Sequence, residues 1–182
     1  MVKHLSEKPA IKIMGIMGSP RKGWNTDILT EEALKGAEEV GNVETEMLYL
    51  CDMKFDYCKG CLGCLKTKSC TQYKDDINPR LFKKLVEEVD GFIFGTPVFF
   101  RHESGLLKNF IDRLQPLVTG DYMGLLNKPA AVVTVGFARN GGQSITNLAL
   151  WSSFADIGFV ILQADEIGNW GGWSGIDDEN LS

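Results

Sequence analysis

The stretch "YCKGCLGCLKTKSC", residues 57–70, holds Cys58, Cys61, Cys64 and Cys70, four of the five cysteines in the chain. Their spacing is C-x2-C-x2-C-x5-C. Thiolates at i, i+3 and i+6 suit three corners of a cubane cluster, and a fourth can arrive after a short loop. Gly60 and Gly63 let the backbone wrap closely around such a group. Zinc is the rival occupant, although structural zinc sites usually pair two C-x2-C knuckles across a longer spacer. Disulfides would suit an exported chain. Cys51 lies outside the pattern and reads as a small, partly buried side chain. The spacing favours a [4Fe–4S] cluster and leaves zinc open.

Three other stretches carry polar and glycine-rich chemistry. In "GSPRKGWNT" (18–26), Gly18 and Gly23 permit a tight turn. Ser19, Asn25 and Thr26 offer hydroxyl and amide groups, and Arg21 offers a charged fork. A helix N-terminus following them completes a phosphate site. The stretch is neither a Walker A loop nor GxGxxG; its plain alternative is a turn with a surface arginine. "GTPVFFRH" (95–102) places Pro97, Val98, Phe99 and Phe100 at a strand end, a wall for a flat aromatic ligand if they are not core. "GFARNGGQS" (136–144) adds Arg139, Asn140, Gly141, Gly142 and Gln143, where backbone can approach a ligand closely, or where a loop merely flexes. Phosphate loop, aromatic wall and glycine loop together describe flavin mononucleotide (FMN). His102 could deliver a proton to reduced flavin, though a lone loop histidine is more often only solvated. A hydrolase built on Ser104 and His102 fails, because G-x-S-x-G is absent.

The elements that must position these groups alternate along the chain. Strands are expected at 10–17, 43–50, 91–98, 130–137 and 159–164, and helices at about 26–40, from Asn78–Pro79 onward, after Ser104, and at about 144–157. Ile28, Leu29, Ala33, Ala37 and Val40 are expected to form the inward stripe of the first helix. The first strand is mostly apolar and the central strands are continuously so, whereas "VETEMLYL" alternates, which suits a sheet edge. The pattern predicts an α/β, flavodoxin-like, doubly wound five-stranded parallel sheet of order 2-1-3-4-5 with a cysteine-rich insertion after strand 2. In such a sheet the loops 18–26, 51–77, 96–103 and 136–143 share the carboxyl edge, where ligands bind. "DDENLS" begins like a helix, so the final helix is expected to be short or missing.

Length and composition set the outer limits. The 182 residues, 44% hydrophobic, suffice for one domain over 1–182, with 51–77 as its cluster-binding loop. Net charge is −5 with scattered Lys and Arg, which argues against nucleic-acid or anionic-membrane partners. No apolar run reaches signal or membrane-spanning length, so a cytoplasmic location is expected.

At "GSPRKGWNT", "CKGCLGCLKTKSCTQYKDDI", "GTPVFFRHESGLLKNFIDR" and "GFARNGGQS" the chain resembles the iron–sulfur flavoproteins, within the NADPH-dependent FMN reductase-like group. The resemblance spans nearly the whole chain; the cysteine motif is its specific part. It implies that Ser19, Arg21, Asn25 and Thr26 grip the FMN phosphate and that Pro97 to Phe100 line the isoalloxazine. It also implies that Arg139 to Gln143 meet the flavin ring and that Cys58, Cys61, Cys64 and Cys70 hold the cluster. Family members often carry tyrosine at Phe99 and a small polar or glycine stretch at Arg101-His102-Glu103, so substrate access departs here. Homodimers or homotetramers are implied, with Trp170 and Trp173 as candidates for a subunit boundary. The expected activity is a flavin-dependent oxidoreductase that passes electrons from a one-electron donor such as ferredoxin, through cluster and FMN, to a small-molecule or protein acceptor. Two alternatives stand beside it: an NAD(P)H-dependent FMN or quinone reductase with structural zinc, and a non-enzymatic redox-sensing module.

Overall fold

A computed structural model describes residues 9–119 and 123–162. Five parallel strands form one sheet in the order β2-β1-β3-β4-β5. They are β1 (Ile11–Met17), β2 (Val43–Tyr49), β3 (Gly91–Pro97), β4 (Pro129–Val135) and β5 (Val160–Ile161). The helices are α1 (Asn25–Glu38), α2 (Cys64–Thr67), α3 (Pro79–Lys83), α4 (Gly105–Asp112) and α5 (Gln143–Ile157). This is the predicted flavodoxin-like architecture, with the long 51–77 excursion after β2. No helix among the described residues is long and apolar enough to cross a membrane.

Successive strand residues serve opposite faces, and β3 shows what each face accepts. Phe94 turns toward α5, where its ring centre lies 4.5 Å from that of Phe154. Phe92, Phe154 and Phe159 complete an aromatic cluster that shares one core with Phe82, Leu107 and Phe110. Gly95 faces the other way, against α1, where an added Cβ would collide with Thr30 Oγ1. A Cβ on Gly15 would likewise meet Leu34 at 2.9 Å.

That close approach corrects the predicted face of α1. Thr26, Asp27, Thr30 and Leu34 are buried, whereas Ile28 is 48% and Val40 82% exposed. Where the helix sits over Gly95, the room left suits a short side chain such as Thr30, and the missing Cβ of Gly15 makes space for Leu34. Thr30 fits because its hydroxyl donates to the Thr26 carbonyl at 2.7 Å, so no polar group is stranded. Leu29, Ala33 and Ala37 of the predicted stripe are half-buried, so the inward face is rotated from the predicted one rather than replaced by another.

Elsewhere the local signals hold. Asn78 caps α3 by accepting from the N–H groups of Arg80 and Leu81 at 3.0 and 3.2 Å, with Pro79 at the first helical position. The following Lys84–Glu88 segment widens into a π-helical turn. Ser104 caps α4, accepting from Leu107 N–H at 3.1 Å. β4 ends two residues before the expected boundary, and Phe137, assigned to that strand from sequence, is 77% exposed in the loop beyond it. The expected short final helix, and Trp170 and Trp173, lie outside the described residues.

Candidate functional site

The loops after β1, β3 and β4 meet at the carboxyl edge of the sheet, and specific contacts lock them together. Gly18 N–H donates to Gly95 O at 2.7 Å. Ser104 Oγ donates to Gly18 O at 2.5 Å while also capping α4. A Cβ on Gly18 would lie 2.7 Å from Leu107 Cβ, so only glycine permits this packing. Val98 N–H reaches Val135 O at 2.8 Å, tying the β3 and β4 loops.

In the first loop, Ser19 is buried, accepting from Arg21 N–H at 3.1 Å and donating to Arg21 O at 3.0 Å. Asn25 and Thr26 open α1, and no side chain caps that helix, the arrangement that accepts an anion at a helix N-terminus. Asp27, buried in the same turn, accepts from Gly23 N–H at 2.7 Å and holds the loop closed. The Arg21 guanidinium lies 4.4 Å from the centre of the exposed Trp24 ring. Lys22 pairs with Asp52 beyond β2 and sits 4.3 Å over Tyr49. Burial, with the carboxylates of Asp27 and Glu31, drives the Tyr49 phenol pKa upward, so it stays protonated.

The second loop turns through a two-residue hairpin. Phe99 and His102 exchange backbone hydrogen bonds of 2.8 and 3.1 Å. Phe100 and Arg101 between them both adopt positive φ, 51° and 67°, conformations that bulky residues adopt only at a cost. Pro97 is buried and Val98 half-buried, whereas Phe99 is 46% exposed and Phe100 wholly so. Of the four residues expected to form an aromatic wall, the two exposed ones are the phenylalanines of the hairpin. His102 is exposed, with Nδ1 3.7 Å from Glu103 Oε2. Glu103, which sequence reasoning passed over as a site residue, is buried, and its Oε2 has no hydrogen-bond partner.

The third loop leans on the second. Gly142, at φ 111°, packs so closely that a Cβ there would lie 2.9 Å from Arg101 Cγ. Arg139 and Asn140 are exposed, and Gly141 turns back onto Ala138. Gln143 is buried and donates to Ala138 O at 3.0 Å, so it braces the loop from inside.

The four motif cysteines line one cavity of about 170 Å³, together with Gly60, Leu62, Tyr73, Arg113 and Pro116. Leu62 and Lys68 take positive φ, as does Gly60, and the chain coils around the cavity. Gly63 is pressed against Thr71, with no room for a Cβ. The Gly63 N–H, helped by Thr71, lowers the Cys61 thiol pKa toward the thiolate a metal requires. Burial raises that of Cys64, and charge on Cys58, Cys61 and Cys70 adds to the rise, so the four thiols feel one another. Among the described residues no three metal-binding side chains converge tightly enough to hold a single ion.

The cavity sits at the other end of α4 from Ser104, the residue that joins that helix to the phosphate loop. The loop leaves that edge and runs back to the C-terminal end of α4, where Asp112, Arg113 and Gln115 form the cavity's wall. The eight residues of α4 rise 1.5 Å each, so the cavity lies about 12 Å from the start of that helix. Arg113, a residue the sequence did not single out, holds the arrangement: its side chain is 2% exposed and bonds Asp75 through both carboxylate oxygens at 2.8 and 2.9 Å.

A parallel sheet switching direction between β1 and β3, with an uncapped helix start and an exposed aromatic hairpin at its edge, is a doubly wound α/β fold of the flavodoxin type. The model of the NADPH-dependent FMN reductase family matches residues 11–167, and the chain belongs to that family. Within it the chain stands with the iron–sulfur flavoproteins. It is 37% identical to an iron–sulfur flavoprotein of Methanocaldococcus jannaschii over 89% of this chain and 81% of that one. Identity to the iron–sulfur flavoprotein of Methanosarcina thermophila is 35%, covering 75% and 69% of the two chains. Among solved structures, FerB, the flavoenzyme NAD(P)H:(acceptor) oxidoreductase of Paracoccus denitrificans, shares the fold. Its TM-score is 0.65 at 21% identity, covering 86% of this chain and 78% of that one. The protein is thus a flavin-dependent oxidoreductase of the iron–sulfur flavoprotein type, with FMN as its flavin.

Proposed function

We propose that this oxidoreductase carries electrons from a one-electron donor to a two-electron acceptor, using FMN at the sheet edge and a [4Fe–4S] cluster on Cys58, Cys61, Cys64 and Cys70. The observation that carries the reading is the cavity of about 170 Å³ lined by all four thiols. Around a single zinc ion, bonds of about 2.3 Å would draw the sulfurs to within roughly 4 Å of one another. A site with room between its thiols suits a group of several atoms. When bound, the cluster supplies one-electron steps and the flavin joins two of them into a two-electron step.

The chain's own residues position and shield. The α1 N-terminus, Ser19 and Arg21 take the FMN phosphate, and Asn25 and Thr26 bind beside them. Phe99 and Phe100 cover the ring, with Pro97 and Val98 behind them, and Arg139 to Gly142 close from the β4 side. Gln143 keeps that loop in shape. His102, exposed beside Glu103, holds a proton within reach of the edge. Exposed Tyr57, Leu62 and Leu65 on the cysteine loop give a protein donor such as ferredoxin an apolar contact surface. NAD(P)H is the alternative donor, reaching FMN at the open hairpin side, and a small molecule is the acceptor.

The test is metal and acid-labile sulfide analysis of protein purified without oxygen, with absorption spectra before and after reduction. Four iron and four sulfide per chain, with sharp flavin bands over a broad shoulder and both bleaching, is the expected result. Zinc without sulfide would turn the protein into a reductase with a structural metal.

A further inference from the structure

We infer that Arg113 is the residue that sets the potential of the cysteine-bound centre, its Nε–H donating to a sulfur of the group the four thiols hold; this rests on the cluster reading above. A guanidinium has five N–H donors. Four are spoken for: Nη1 donates to Asp56 O at 2.6 Å and to Asp75 Oδ2 at 2.8 Å. Nη2 donates to Asp75 Oδ1 at 2.9 Å and to Ile77 O at 3.4 Å. The fifth, on Nε, is buried and has no acceptor among the described residues. Native interiors seldom leave a buried charged donor without one, and here the side chain forms part of the wall of the cysteine cavity.

The surroundings agree. The guanidinium lies within electrostatic reach of Cys58 and Cys70. Tyr73 covers one face of it, with the ring centre 4.8 Å from Cζ. Asp56, Asp75 and Ile77 flank the cysteine motif on both sides, so the bonds that fix the loop also aim Nε. A hydrogen bond to a cluster sulfur favours the reduced form, which is the more negative, and raises the potential. Arg113 tunes the centre by this direct bond and takes no part in bond making or breaking.

The experiment uses the full chain, loaded with iron and sulfide under anaerobic conditions and labelled with 15N-arginine. Iron and sulfide counts come first. Pulsed EPR of the reduced centre then reads nitrogen coupling, and a mediated titration reads the midpoint potential of wild type, R113K and D75N. R113K keeps a cation for Asp75 and removes the Nε–H; D75N keeps the guanidinium and removes its counter-charge. We expect 15N coupling in the wild type, a lower midpoint in R113K and a higher one in D75N, at unchanged iron and sulfide. Opposite shifts are not what a purely structural role produces. Absence of 15N coupling in loaded wild type overturns the inference even if neither variant folds, and so does an R113K midpoint equal to wild type. Zinc without sulfide in the wild type instead removes the cluster reading, and the inference with it, so the metal count tells the two failures apart.

Discussion

At the sheet edge, Gly18, Gly95 and Ser104 join the β1 and β3 loops through backbone-directed bonds of 2.5 to 2.7 Å, and Gly142 seats the third loop on Arg101. At the cysteine cavity the fastening comes chiefly from one side chain. Arg113 gathers Asp56, Asp75 and Ile77 from the two ends of the loop, while Lys68 adds a tether to Thr119 O at 2.7 Å. The first region is held by the core that folds around it; the second is an excursion pinned at its root. Sites fastened so differently should fail separately, and each experiment that follows asks whether they do.

The largest separation is expected from Cys64→Ser. On the proposed cluster reading the centre then lacks a ligand, so iron and sulfide should fall to a small fraction of wild type, whereas FMN content stays. Cys64 is half-buried at the start of α2, outside the sheet and outside the hydrophobic core, so no core contact is lost. FMN departing together with the iron would show that the two regions are one cooperative unit.

Arg113→Met comes next. Removing one partner of a buried pair leaves a stranded charge and costs about 3–5 kcal/mol, readable by urea unfolding. The same pair predicts a pH dependence. Burial pushes the Asp75 carboxyl up, but Arg113 outweighs it with hydrogen bonds and charge, and the N–H groups of Asp56 and Ile77 help, so the net pKa is lowered. A lowered folded pKa contributes stability that is complete above the ordinary Asp value of about 3.9 and is lost as pH falls through the folded value. In acid, wild type should therefore lose stability more steeply than D75N. Parallel acid limbs would mean that the pair does not pin the loop.

The Arg113 fastening explains what could and could not be read from the residues in order. The strand periodicities and the Asn78 and Ser104 caps are local in sequence, and they stand in the fold. The exposure of Ile28 and Val40 in and just beyond α1, against the predicted stripe, is not legible locally, because the inward face depends on glycines in β1 and β3 far away in the chain. Arg113 and Tyr73 escaped for the same reason: "IDRLQP" carries no hint that its arginine reaches back 38 positions to Asp75. Gln143 is read as a ligand contact from its type and loop, and its burial and bond to Ala138 O are not legible from the residues around it.

A smaller effect tests the edge alone. Gly95→Ala would push a methyl group into Thr30 Oγ1 and bring it 3.2 Å from Met17 Cε. Overpacking of this kind costs about 1–3 kcal/mol. It should loosen α1 and with it the phosphate loop, weakening FMN binding while the iron and sulfide counts stay at wild-type values. Equal loss of both would contradict independent fastening.

The smallest expected change is the most diagnostic of the hairpin. Phe100 adopts φ 51°, and a bulky residue there costs roughly 1–2 kcal/mol relative to glycine, which itself loses part of that advantage through greater freedom when unfolded. Phe100→Gly should therefore raise stability slightly, by about 0.5–1 kcal/mol. It makes no core contact, being wholly exposed, so nothing in the folded chain offsets that gain. A strained and solvent-facing aromatic is best explained by a ligand that covers it, in which case FMN affinity should fall by roughly tenfold, about 1.4 kcal/mol, as the ring loses its stacking partner. Stability and affinity moving in opposite directions would mark the hairpin as strain kept for binding. A gain in stability with FMN affinity unchanged would detach Phe100 from the flavin and leave the wall to Phe99.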